Sequence, residues 1–316
     1  MTSEANALQA RAIPTIYFIG VTTTQSSIMK VFPTWSDILG LGAEIAGYDA
    51  PIHAPDETYQ AIVQHIKEDP LSMGALVTTH KIDLLDATRD LFDYLDPYAE
   101  LCGEISCISK REGRLEGYAK DSITSGLAWE AFVKPGHWGR TGGQVLCNGA
   151  GGSAVAISVY LAGLPDPADR PQRFILVQRS APRLDRLRAI HAKLGTDIGF
   201  EYILNEDPVR TDQIMATLPP GSMVINATGM GKDRPGSPMT DSGLFPENGL
   251  VWELNYRGEL DFLRQAQRQA RSRNLTVEDG WVYFLHGWSQ VIAEVFHLEL
   301  TPQLFNELGK AASVIR

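Results

Sequence analysis

The stretch GALVTTHKIDLLD, residues 74–86, sets two hydroxyls, an imidazole and an ammonium at the end of an apolar run. Ala75, Leu76 and Val77 read as a buried strand, and Thr78, Thr79, His80 and Lys81 follow it directly. In α/β folds ligands gather outside the carboxyl ends of strands, so a lysine delivered there is a candidate for work on a substrate. A surface lysine with a snorkelling stem is the alternative, and spacing alone does not choose. Asp121 raises the same question. It ends the strand-like RLEGYAKD and opens a helix with Ser122, where a plain N-cap is worth about 1 kcal/mol.

A second chemical signal lies further on. The strand VLCN runs into Gly149, Gly151 and Gly152 and then into the helix SAVAISVYLAG. Such a turn leaves helix N-terminal amides free, and small residues let a phosphate approach them along the favourable end of the helix dipole. The spacing is G-x-G-G rather than the full G-x-G-x-x-G, so by itself it also fits a tight turn in any α/β domain. Context adds weight. The next strand ends in LVQRSAPR, with Arg179, Ser180 and Arg183 and no acid before Asp185. An acid at that strand end suits the ribose of NAD, whereas arginines suit the 2′-phosphate of NADP. A solvated helix start is the bland reading of the same residues.

These residues need elements to carry them. Apolar strand-like runs alternate with helix-period runs along the 316 residues, the pattern of an α/β protein with parallel strands. Residues 15–21, 43–49 and 74–79 read as strands, with helices between, the first bent or begun by Pro33. Residues 105–121 read as a hairpin turning at Glu112-Gly113. A fresh series starts at 144, after the Gly- and Pro-rich FVKPGHWGRTGG, and the chain returns to helix from about Val277. The expected architecture is two α/β domains. A substrate domain comprises residues 1–130, completed by helices over 277–316. A doubly wound Rossmann-type nucleotide domain occupies 131–276.

Composition narrows the class. The net charge is −10 with no basic run, which argues against nucleic acid. No stretch approaches the roughly 18 apolar residues of a membrane span, and MTSEANALQARAIP has no secretory pattern. It reads as a flexible lead-in to a cytoplasmic protein. Cys102, Cys107 and Cys147 form neither a C-x-x-C nor a disulfide framework, so no metal site is expected. G-x-S-x-G and P-loop patterns are absent.

Taken in order, the segments resemble the shikimate/quinate dehydrogenase family over most of the chain. LVTTHK resembles the family's N-V-T-V-P-F-K, one residue shorter, and GYAKDS resembles its G-x-N-T-D-G. GAGG matches the phosphate turn, QRSAPR the NADP signature N-R-T-x-x-K/R, and NATGMGK the N-A-T-P-x-G-M segment. WELNYRGEL resembles D-x-V-Y and EDGWVYFLHGW resembles D-G-x-x-M-L-V-x-Q. The resemblance implies that Lys81 and Asp121 are the catalytic pair. It implies cofactor binding by Gly149, Ala150, Gly151, Gly152, Ser153, Arg179, Ser180, Arg183, Asn226, Ala227, Thr228 and Gly229, with NADP preferred and NAD open. Alcohol oxidation releases a hydride to nicotinamide and a proton to a positioned base, and a Lys–Asp pair suits that proton.

Departures concentrate on the substrate side. Ser26 aligns with the first serine of the family's S-x-S, but Ile28 takes the place of the second. Ser106 and Ala119 replace asparagines, Lys120 a threonine, and Gly287, followed by Trp288, the C-terminal glutamine. Thr78 keeps a family hydroxyl, and Tyr256 falls on the family tyrosine. His80, Lys120 and Lys30 add possible cationic character, against the alternative that they face solvent. Trp35 and Trp288 are candidates to line a pocket, whereas Trp281 and Phe284 read as core. Expected substrate contacts are therefore Ser26, Thr78, His80, Ser106, Lys120, Tyr256 and Trp288. The expected activity is reversible hydride transfer on a polyhydroxylated, carboxylated small molecule other than shikimate, a different hydroxy acid or a more anionic one, or else a polyol, by a monomer or homodimer. Genuine shikimate/quinate dehydrogenation and a non-catalytic binding relative are the alternatives.

Overall fold

The computed structural model describes residues 8–232 and 234–315; of the expected lead-in, residues 1–7 lie outside them. The described residues up to Lys120, together with those from Gly287 onward, form one compact unit, and Asp121–His286 form another.

In the first unit the chain runs β1 (Thr15–Gly20), α1 (Ile28–Leu39), β2 (Glu44–Asp49), α2 (Asp56–Glu68), β3 (Ser72–Val77), α3 (Lys81–Thr88), β4 (Tyr94–Leu95), α4 (Pro97–Cys102), β5 (Cys107–Arg111) and β6 (Arg114–Tyr118). The strands form one sheet in the order β2-β1-β3-β5-β6-β4. Strands β2, β1 and β3 are parallel, and β5 joins β3 antiparallel, pairing Leu76 with Cys107. Every residue of β1 is buried, the continuous apolar pattern of a strand with partners on both sides and cover on both faces. The β5–β6 hairpin turns at Glu112 and Gly113, both with positive φ, as a two-residue turn requires. Tyr17, Ile19, Tyr59, Ile62, Val77 and Leu84 meet in its core.

The second unit contains α5 (Asp121–Glu130), α6 (His137–Thr141), β7 (Val145–Asn148), α7 (Gly152–Gly163), β8 (Arg173–Gln178), α8 (Ala181–His191), β9 (Gly199–Leu204), α9 (Pro208–Met215), β10 (Met223–Asn226), β11 (Leu250–Glu253), α10 (Asp261–Gln269), β12 (Thr276–Glu278) and the start of α11 (Trp281–Val295). Its sheet is wholly parallel in the order β12-β11-β10-β7-β8-β9. The chain reverses its direction of winding between β7 and β10, the switch point at which open α/β sheets bind ligands. Helix α7 is buried on nearly every side, and α5 lies against it. A Cβ on Gly126 of α5 would sit 2.3 Å from the Tyr160 ring of α7. That contact ties α5 to the second unit, so the boundaries expected near 130 and 276 fall inside it. Helix α12 (Pro302–Ala312) closes the chain on the first unit.

Two local expectations change. Residues 276–278 form β12, with Val277 paired to Val251, and helix resumes only at Trp281. A three-residue strand is too short for periodicity to separate from a helix start. Of the two expectations for Pro33, that it begins or that it bends the first helix, the structure excludes the first, since Pro33 lies inside α1. Among the described residues no helix is long and apolar enough to cross a membrane.

Trp35 of α1 is fully buried, and its indole N–H donates to the Leu308 carbonyl of α12 at 2.9 Å, so it is core rather than pocket wall. Trp35→Ala removes both the packing and that bond. It is expected to cost about 3–5 kcal/mol in urea unfolding; a loss below ~1 kcal/mol would show that α12 does not depend on this indole.

Candidate active site and cofactor-binding residues

The turn after β7 is shaped by one close approach. Gly149 has φ +119, and a Cβ there would lie 2.5 Å from the Ala227 carbonyl oxygen. The Gly149 N–H donates to Val177 and the Ala227 N–H to Asn148, both at 2.8 Å, so the turn is held to the strands on either side of β7. Gly151 is different. Its backbone is extended and a Cβ would meet nothing within 4 Å. The turn therefore opens onto free space at the start of α7, whose first turn has no side-chain cap. Uncapped amides beside a surface free of side chains fit a dinucleotide pyrophosphate. Ala150 is buried beneath, and the Ser153 hydroxyl takes a long hydrogen bond of 3.4 Å from Tyr283.

Beyond β8, Arg179 and Arg183 are exposed, and neither guanidinium makes a hydrogen bond or ion pair among the described residues. Ser180 precedes α8 without capping it. Asp185, the first acid after the strand, is paired to Arg188 at 2.7 Å. Two uncommitted arginines fit a 2′-phosphate better than a bare ribose.

The segment after β10 rests on a buried acid that sequence reading passed over. Glu253, at the end of β11, is fully buried. It accepts from the Asn226 amide at 2.7 Å, and from the Asn255 backbone and side-chain N–H groups at 2.9 and 2.7 Å. Asn226 in turn accepts from the Thr228 N–H and hydroxyl at 3.1 and 2.6 Å. Asn226, Ala227, Thr228 and Gly229 are thus fixed at the switch point through one carboxyl. Burial pushes that carboxyl up to about 7, although the three donors favour its ionised form and Asp279 opposes it. The only signal in the sequence was an acid closing the apolar run LVWE. Tyr256 packs on Phe284 at 4.6 Å between centroids and on Trp281 at 5.7 Å; Trp281 and Phe284 are buried, as expected of core. Asp121 opens α5, and its carbonyl accepts from the Ser125 hydroxyl at 2.6 Å.

In the first unit β3 stops at Val77. Thr78 still donates to Ile19 at 3.0 Å. Thr79 then enters the left-handed region at φ +45, and the His80 N–H turns back onto the Thr78 carbonyl. A β-branched residue held there costs on the order of 1–3 kcal/mol. The reversal makes Lys81 the first residue of α3, with its carbonyl accepting from Ile105 at 3.2 Å. Thr78 and Ser26 are half-buried, and neither hydroxyl has a hydrogen bond among the described residues.

Two expected cations are not offered at this edge. His80 is 1% exposed; Nδ1 lies 3.0 Å from the Tyr59 hydroxyl, and Nε2 is buried without a partner among the described residues. The Lys120 ammonium is 2.5 Å from Glu294 and 4.7 Å above the Tyr118 ring. Burial raises the Glu294 carboxyl, but the bond and charge of Lys120, with those of Arg111, bring it below the usual carboxylate range. The expected cationic contribution of His80 and Lys120 is corrected accordingly: one is core, the other neutralised in place. Ser106 is buried and accepts from the Lys120 N–H at 2.9 Å, a backbone role. Trp288 is buried edge-on to Phe18 at 4.9 Å. Ile28 is fully buried, and the Ala119 N–H goes to Asp96. Among the described residues no His, Cys, Asp and Glu cluster suits a metal.

A two-unit α/β chain with this parallel sheet and glycine turn has the fold of a dinucleotide-dependent oxidoreductase. No family model matches the chain. It is 28% identical over 251 residues to the shikimate dehydrogenase (NADP(+)) of Symbiobacterium thermophilum, covering 78% of this chain and 76% of the relative. It is also 28% identical over 178 residues to that of Lactococcus lactis, where the match spans 56% of this chain and 59% of the relative. Among solved structures, a shikimate dehydrogenase in complex with NADP+ aligns with TM-score 0.71 and 20% identity over 97% of both chains. A 5-ketofructose reductase of Gluconobacter gives 0.70 and 20% over 97% and 99%. A quinate dehydrogenase from Corynebacterium glutamicum gives 0.72 and 17% over 96% and 99%. The solved structures establish the fold, and the curated relatives to which the chain is similar at 28% identity are shikimate dehydrogenases.

Glu253 gives a pH test. Its folded carboxyl lies at about 7 and an unfolded one near 4.3, so the stability it allows is complete below about pH 4 and is lost as pH rises through 7. Glu253→Gln lacks this loss. From pH 5 to 8 the variant is expected to gain on the wild type by on the order of 2 kcal/mol in urea unfolding. A flat difference would show that Asn226 and Asn255 keep the carboxylate ionised throughout.

Proposed function

We propose that the protein is an NADP(H)-preferring alcohol dehydrogenase of the shikimate dehydrogenase type, acting on a polyhydroxylated small molecule other than shikimate. The observation that carries it is the uncapped glycine turn at the switch point, followed at the next strand by uncommitted Arg179 and Arg183. The NADP(+) in the curated relatives' names supports the same cofactor. When bound, the nicotinamide exchanges the hydride. Gly149–Ser153 receive the pyrophosphate, Arg179 and Arg183 the 2′-phosphate, and Asn226–Gly229 line the switch point beside them. Lys81 exchanges the proton with the substrate hydroxyl, taking it in oxidation and returning it in reduction, and steadies the developing alkoxide. Asp121 is the second proton-transfer residue.

The substrate reading rests on the first unit. Ile28 is buried where the family's second carboxylate-binding serine aligns, and Lys120 is already paired to Glu294. Ser26 and Thr78 remain as hydroxyl contacts. These residues favour a hydroxyl-rich, weakly charged ligand, and the fold is shared with a 5-ketofructose reductase. The names of the curated relatives favour a second reading, shikimate dehydrogenation proper.

The test follows nicotinamide absorbance with NADP and NAD against shikimate, quinate, sugar acids, cyclitols and ketoses. Turnover of a non-shikimate substrate is expected to fall at least about 100-fold in Lys81→Ala. Arg183→Ala is expected to raise the NADP KM roughly tenfold, equivalent to ~1.4 kcal/mol, without changing the NAD KM. Shikimate as the best substrate would establish the second reading; no reduction of either cofactor by any substrate would remove the enzyme reading.

A further inference from the structure

Lys81 stands directly behind a turn that the backbone does not favour. Thr79 is β-branched and sits at φ +45, where such a residue persists only if its surroundings over-determine it. The flanking residues supply part of that constraint. The Thr78 N–H is tied to Ile19, the His80 carbonyl accepts from Leu84 at 2.8 Å, and the Lys81 carbonyl accepts from Ile105. Those bonds fix the ends of the turn and leave its side-chain anchor to His80. The imidazole points into the core, with 1% exposure, and is held there by the hydroxyl of a fully buried Tyr59 on α2 at 3.0 Å. The two rings are tilted at 5.5 Å between centroids. A buried imidazole with one nitrogen unpartnered is a costly choice for core filling, where an apolar side chain serves better.

We infer that Tyr59 and His80 are a positioning pair for Lys81: the phenol grips the imidazole, the imidazole holds the left-handed Thr79 turn, and the turn aims the lysine. The inference rests on the proposed role of Lys81 in proton transfer. His80 then belongs to the site without touching substrate, and Tyr59 contributes from a helix that carries no other residue assigned to it.

Two readouts test it in the full-length chain. Hydrogen exchange over residues 78–85 needs no substrate. Exchange at the His80 and Leu84 amides is expected to rise at least tenfold in Tyr59→Phe and His80→Leu, with β1 and β3 unchanged. His80→Asn, which carries a polar atom close to the Nδ1 position, is expected to recover most of that protection. With the best-turned substrate of the panel, Tyr59→Phe lowers kcat at least tenfold, leaves the NADP KM unchanged, and adds nothing in a Lys81→Ala background. Unchanged exchange in Tyr59→Phe, or a loss that adds fully to that of Lys81→Ala, would overturn the pairing. Full activity of Lys81→Ala would instead sink the proposed role of Lys81, while exchange still judges the turn.

Discussion

The proposed nucleotide-binding face depends on how closely two strand ends approach. Where the chain leaves β7 at Gly149, a Cβ would lie only 2.5 Å from the Ala227 carbonyl oxygen. Parallel strands β7 and β10 are neighbours in register, so their following segments diverge from almost one point. Only a residue without a side chain at φ +119 lets the first segment turn away into α7 while the second continues into Ala227–Gly229. The open space above Gly151, the uncapped first turn of α7 and the network under Asn226 all follow from that divergence.

The two sides of this point are stabilised differently. The glycine turn has no side chains to hold it and relies on backbone bonds to the flanking strands. The Asn226 segment uses a buried carboxyl with its acceptors filled by amide donors. Removing one donor would leave a buried acceptor unmet, which usually costs more than the bond contributes. Glu253 is therefore better understood as the fixed point of the segment than as a reactive acid, even with its carboxyl raised to about 7.

What sequence could reveal tracked what is local. Strand–turn–helix order, the β5–β6 hairpin and the glycine turn each lie within a short window, and periodicity or turn chemistry marks them. Lys81 was legible as a lysine at a strand end. The residues that decide its surroundings were not. Tyr59 lies on another helix, 21 positions before His80, and looks in sequence like any aromatic on a buried face. Glu294 lies 174 positions from the Lys120 it neutralises. A cation read along the chain is counted as free, because its counter-charge arrives only through the tertiary fold. β12 was lost for a simpler reason: three residues carry no period.

That difference between local and long-range information bears on specificity. A polar site discriminates by the groups left unpaired when the wrong ligand binds. On the first unit the hydroxyls of Ser26 and Thr78 carry unspent hydrogen-bonding capacity, whereas the Lys120 ammonium already has Glu294 at 2.5 Å and an aromatic face beside it. A carboxylate relying on Lys120 would have to separate that pair, and leaving Glu294 without its main counter-charge in a half-buried position is expensive. A hydroxyl-rich ligand makes no such demand. On the proposed reading, the order of motifs along the chain keeps the residues for hydride and proton exchange, while one distant glutamate, by occupying Lys120, would shift which ligands they favour.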